Sequence, residues 1–112
     1  VIFHIATEAG WASALARGMY TADLEAEGFI HCSEADQYLW VANQRFAGRT
    51  DLVLLHIDEA RLRVPVRREN LEGGTRLFPH IYGALPIDAV VHFEPLRPGP
   101  AGTFESSPAP AC

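Results

Sequence analysis

Five histidines stand in this 112-residue sequence, and three of them interrupt runs that are otherwise apolar. His4 lies in Val1-Ile2-Phe3-His4-Ile5-Ala6. His31 lies in Gly28-Phe29-Ile30-His31-Cys32-Ser33, and His80 in Leu77-Phe78-Pro79-His80-Ile81-Tyr82. A buried imidazole without a partner costs roughly 1–3 kcal/mol, so one such residue is easily incidental and three call for an explanation. The chemistry an imidazole supplies is proton transfer, hydrogen bonding to a ligand, or metal ligation. His56, inside Leu54-Leu55-His56-Ile57, and His92, near the end of a late strand, read instead as core residues bonded to backbone.

Alternate residues of a strand share a face. His4 therefore shares its face with Ile2 and Ala6, while Phe3 and Ile5 point the other way. Phe29, His31 and Ser33 lie together, and so do Phe78, His80 and Tyr82. The run from Gly28 to Ser33 leads straight into a helix start. That junction gathers imidazole, thiol, hydroxyl and helix-terminal N–H groups, a setting suited to an anion or a polarised oxygen. His4, His31 and His80 are expected to surround one concave site. Three histidines also raise the question of zinc, which takes three protein ligands in catalytic sites. No His-x-His or His-x₃-His pair holds two ligands rigidly, so no metal is expected. Cys32 as a nucleophile with His31 as its base is weaker still, since adjacent strand residues face opposite ways.

The elements that must position these residues follow from pattern. Residues 1–6 read as a strand, and Thr7 as the N-cap of a helix running to Arg17, with Trp11 and Leu15 buried and Gly18 as the stop. Residues 19–27 are polar and irregular, and a second strand covers 28–32. Ser33 and Asp36 form a weak capping box for a second helix that carries Tyr38, Val41, Ala42 and Phe46 and closes at Gly48. Residues 52–58 are nearly all apolar, as in a strand covered on both faces. Pro65 makes 64–69 an edge strand, and 70–75 a glycine loop. Residues 77–82 and 89–94 are the last strands, separated by a turn at 83–86. Helices early and strands late give α+β.

After Leu96 the composition turns to proline, glycine, alanine and serine. Residues 1–96 are thus expected to form a single domain, and 97–112 a disordered or loosely packed tail dispensable for folding. A chain of this length buries roughly 65% of its unfolded surface. The net charge of −5, with arginine as the sole basic residue type, makes a poor footprint for nucleic acid. No run approaches the ~18 apolar residues of a membrane span. The strand-like start, with no basic leader region, points to a cytoplasmic protein. Two cysteines make no disulfide framework, and both Cys32 and Cys112 read as reduced thiols.

Four strings carry a resemblance: Phe3-His4-Ile5-Ala6; Glu27 through Ser33; Leu52-Val53-Leu54-Leu55 with Ile57-Asp58; and Phe78-Pro79-His80-Ile81-Tyr82-Gly83 with Leu85-Pro86. Together they resemble the bacterial family catalogued as domain of unknown function 952, over about residues 2–96. Its fold is similar to the ADP-ribosyltransferase superfamily, in which a split β-structure grips NAD. The resemblance implies such a structure here, with two N-terminal helices. It implies that His4 bonds a ribose and His31 packs on nicotinamide. Glu69, or His80 with Tyr82, would stand where the transferases carry glutamate, with Ser33, Phe78 and Tyr82 contacting the ligand. Typical transferases follow the first histidine with glycine and a hydroxyl residue, whereas this chain has Ile5-Ala6. Three readings stay open: a domain that binds or cleaves NAD or a related ribosyl compound, a non-catalytic small-molecule-binding module using the same cleft, and a His-liganded metalloenzyme.

Overall fold

The computed structural model describes residues 1–22, 24–70 and 75–105. In chain order come β1 (Ile2–Thr7), α1 (Glu8–Arg17), β2 (Met19–Tyr20), α2 (Leu24–Glu27), β3 (Ile30–His31) and α3 (Tyr38–Arg45). They are followed by β4 (Leu52–Ile57), β5 (Val66–Glu69), β6 (Phe78–Ile81), β7 (Leu85–Pro86) and β8 (Val90–Leu96). The class is α+β. One antiparallel sheet has the order β1-β4-β8, a second β3-β6-β5, and β2 pairs with β7 as a two-stranded ribbon.

β4 is the middle strand of the first sheet and serves two cores, which explains its unbroken apolar run. Val53, Leu55 and Ile57 join Ile2 and Ala6 of β1, Trp11 and Ala14 of α1, and Ile30 and Ile81 of the second sheet. Leu52 and Leu54 point the other way, with Ile5 of β1, Leu96 of β8 and Ala42 of α3. The alternation expected along β1 is what divides these cores.

α1 starts and stops as its sequence dictates. The Thr7 side chain accepts from the Gly10 N–H, Glu8 occupies the first turn, and Gly18 closes the helix at φ 81. Its buried stripe is narrower than expected. Trp11 and Ala14 are buried, whereas Leu15, one turn beyond Trp11, is 50% exposed.

Three further expectations change. Ser33 does not cap α3: its N–H and carbonyl exchange hydrogen bonds with Phe3, holding it extended, and the helix begins at Tyr38. Gln37 organises the intervening turn, accepting from the Glu34 N–H and donating to the Leu77 carbonyl. The segment 19–27 holds β2 and the single turn α2 instead of irregular chain, so three helices replace two. Leu85-Pro86, expected within a turn, is the strand that pairs with β2. The edge position argued from Pro65 holds, since β5 ends its sheet. The centre of the glycine loop (71–74) and Cys112 lie outside the described residues.

The chain beyond Leu96 is also more ordered than expected. Phe104 is 3% exposed and belongs to the second core, beside Phe46 and Leu96. Asn43 of α3 fixes it from both sides, accepting from the Phe104 N–H and donating to its carbonyl. The low apolar content of 97–112 concealed a single anchor with a dedicated partner. Phe104 thus packs onto the folded part of the chain, and 106–112 lie outside the described residues. No helix among the described residues is long and apolar enough to cross a membrane.

Replacing Phe104 by alanine should lower stability by about 3 kcal/mol, the usual cost of emptying a buried aromatic site. Urea unfolding of the variant checks this, and a midpoint equal to wild type would show that the docked tail contributes nothing.

Candidate functional site

β1 and β3 are edge strands of different sheets, and they touch through an isolated antiparallel bridge between Phe3 and Ser33. One residue further along β1, the His4 ring reaches across. Its Nδ1–H donates to the His31 carbonyl at 2.5 Å. A carbonyl can only accept, so Nδ1 carries a proton, and in the neutral ring Nε2 accepts from the Tyr20 hydroxyl at 2.9 Å. Tyr20 is held by the β2–β7 ribbon, where it pairs with Leu85. His4 and Tyr20 are both buried.

His31 and His80 are directly paired across β3 and β6, with ring centroids 5.1 Å apart. Phe29 fills the angle between them, 4.7 Å from His31 and 4.4 Å from His80. His80 is buried, and its Nδ1–H donates to Glu69 at 3.0 Å. The Tyr82 hydroxyl donates to the same carboxylate oxygen. Glu69 lies on β5, the neighbour of β6, so strand pairing alone brings the three groups together. The Tyr82 hydrogen bond, and after it that of His80, hold the Glu69 carboxyl below the usual carboxylate range. Conversely, the Glu69 carboxylate pushes the Tyr82 phenol up. Arg67 covers the Tyr82 ring at 5.0 Å.

These groups border one cleft of about 400 Å³, at the small end of ligand pockets. His4, His31, Ser33, Glu69, Phe78 and His80 all line it. Tyr82 is not among its lining residues and reaches the site through Glu69. His56 and His92 lie elsewhere. The wall opposite the histidines comes from α3, through Trp40, Val41 and Arg45. Trp40 is half exposed and stacks on Phe78 at 6.5 Å, forming an aromatic lip. The arrangement offers a carboxylate-oriented imidazole, a second imidazole with a side chain about one-third exposed, and an arginine, within a largely apolar cavity. Such a set can bind a polar organic molecule and move a proton.

Sequence reasoning missed Tyr20 and the α3 wall. Tyr20 sits in a segment without periodicity, and its role depends on β2 pairing with a strand more than sixty residues away. Arg45 and Trp40 read as ordinary positions of an exposed helix face. No local signal distinguishes them.

The carboxylate–phenol pair has a pH signature. Glu69 contributes stability that is present above roughly pH 4.3, its unfolded value, and lost as pH falls through its lower folded value. Tyr82 contributes stability present below roughly pH 10 and lost as pH rises through its higher folded value. Glu69→Gln removes the charge and should let Tyr82 ionise at lower pH than in wild type. Spectrophotometric titration, with Tyr82→Phe identifying the signal, measures this; superimposable curves would contradict the pairing.

The fold recurs in solved structures. The crystal structure of protein CC0527 from Caulobacter crescentus is 33% identical, with a TM-score of 0.81 over 93% of this chain and 92% of that one. The solution NMR structure of the same protein is 34% identical, with a TM-score of 0.77 over 91% and 89% of the two chains. No curated protein matches the chain. Residues 5–93 match the family described as "Protein of unknown function (DUF952)", a span that includes His31, Glu69 and His80, and to that family this chain belongs.

Proposed function

We propose that the cleft binds NAD or a related ribosyl compound and cleaves its bond to nicotinamide, in an ADP-ribosyltransferase-like arrangement. The observation that carries this reading is the convergence of His4, His31 and His80, from two different sheets, with Glu69 on one small cleft. The volume of about 400 Å³ suits the nicotinamide–ribose half of the molecule, and in this reading Arg45, another lining residue, meets a phosphate. The acidic net charge favours a small ligand over nucleic acid.

In this reading His31, partly exposed at the cleft, packs on the nicotinamide ring. The Tyr20 hydroxyl, oriented by His4, faces the ribose. The two nitrogens of His4 are already engaged, so its own part is to fix Tyr20 and the seam between sheets. As the glycosidic bond breaks, its electron pair leaves with nicotinamide and the ribose C1′ acquires oxocarbenium character. In this reading the ionised Glu69, which lines the cleft, stabilises that charge. An acceptor hydroxyl or water then bonds to C1′ and gives its proton to His80, whose Nδ1–H is held by Glu69 and whose Nε2 is the basic nitrogen.

His31→Ala should lower nicotinamide release from NAD by ~100-fold, because it removes contacts to the leaving group in the transition state. Glu69→Gln should spare binding and depress turnover. Tyr20→Phe should weaken calorimetric binding, since a ribose contact exists in the ground state. If wild type binds NAD but releases no nicotinamide to water or any acceptor tried, the cleft is a binding module. Absence of NAD binding would remove the ribosyl reading.

A further inference from the structure

On the face of the first sheet that packs against α3, three donors meet away from the cleft. His56 on β4 and His92 on β8 are directly opposed in the antiparallel register, with ring centroids 4.8 Å apart. Glu94 lies two residues beyond His92 and so projects from the same face. One oxygen, Glu94 Oε2, receives both imidazoles: His56 Nε2 at 2.7 Å and His92 Nε2 at 3.5 Å. All three donor atoms lie within 4.8 Å of one another. Tetrahedral zinc with bonds of about 2.0–2.1 Å sets its ligand atoms roughly 3.4 Å apart, inside the spread already present here.

We propose that His56, His92 and Glu94 form a binding site for a divalent transition cation, zinc by preference. The His92-x-Glu94 pair supplies two ligands from one strand, and strand pairing supplies the third without any loop. Two borderline nitrogens and one carboxylate oxygen are a donor set that zinc accepts with a fourth position left to water. The β4–β8 ladder shifts its register between His56 and Ile57, next to the ligands. His56 is held in place by an edge contact with Phe3 at 4.8 Å, while the more exposed His92 can swing onto the ion. The cation takes the place of the His56–Glu94 hydrogen bond and the longer His92–Glu94 contact, on strands whose register already holds the three donors together. This departs from the expectation of no metal, which weighed the histidines of the cleft and sought His-x-His.

The test is titration of metal-free protein with Zn²⁺ by calorimetry and with Co²⁺ by absorption. Wild type should take up one equivalent per chain with a micromolar or tighter dissociation constant and give a four- or five-coordinate Co²⁺ spectrum. His92→Ala and Glu94→Gln, at partly exposed positions that leave the cores intact, should each weaken binding at least ~10-fold. His31→Ala should bind as wild type does. No uptake by wild type at micromolar concentration would overturn the site. So would undiminished binding by the His92 and Glu94 variants, which would place the ion elsewhere.

Discussion

The hydrogen bond from His4 to the His31 carbonyl is the interaction on which the cleft depends. β1 and β3 meet at Phe3 and Ser33 and continue as edges of separate sheets. Past the bridge, a side chain replaces the next rung of the ladder. The His31 carbonyl, an edge acceptor that burial would leave costly if unpaired, is satisfied by the His4 ring. The sheets can therefore part while their backbone groups stay bonded, and the gap between them becomes the cleft. The same bond places a proton on His4 Nδ1, and in the neutral ring Nε2 accepts from the Tyr20 hydroxyl. A structural seam and a site residue are here the same imidazole.

A second polar network governs the β5–β6 side of the cleft. Glu69 orients His80 through Nδ1 and is itself held by Tyr82. Because the carboxyl stays ionised well into acid, His80 keeps a fixed partner across the physiological range. Neither network relies on a long loop. Each is built largely from residues on or next to paired strands, which places their side chains on rigid elements.

The first sheet packs on both faces because β4 is buried on both. One face shares a core with α1 and the second sheet, alongside His4. The other packs under α3 and Phe104 and carries His56, His92 and Glu94 near its edge. Docking Phe104 against Asn43 covers the apolar part of that second face and leaves the three polar groups accessible. The order of residues along β8, from His92 through Glu94 to Leu96, grades from polar rim to buried core.

The sequence by itself determined the α+β class, the two caps of α1, the edge position of β5, the double burial of β4 and the faces of the strand histidines. These are local properties: side-chain alternation, a hydroxyl before a helix, a proline without a donor. Tertiary structure decided everything that needed a partner far along the chain. Ser33 has the composition of a cap and is an edge bridge, because Phe3 offers it two hydrogen bonds and the helix offers one. Phe104 is an isolated aromatic in a proline-rich stretch and becomes core because Asn43 meets its backbone. Tyr20 acquires meaning from His4, and Glu94 from two histidines whose opposition is set by strand register. Local pattern carries the direction of a side chain; which group stands at the other end is fixed only when the sheets assemble.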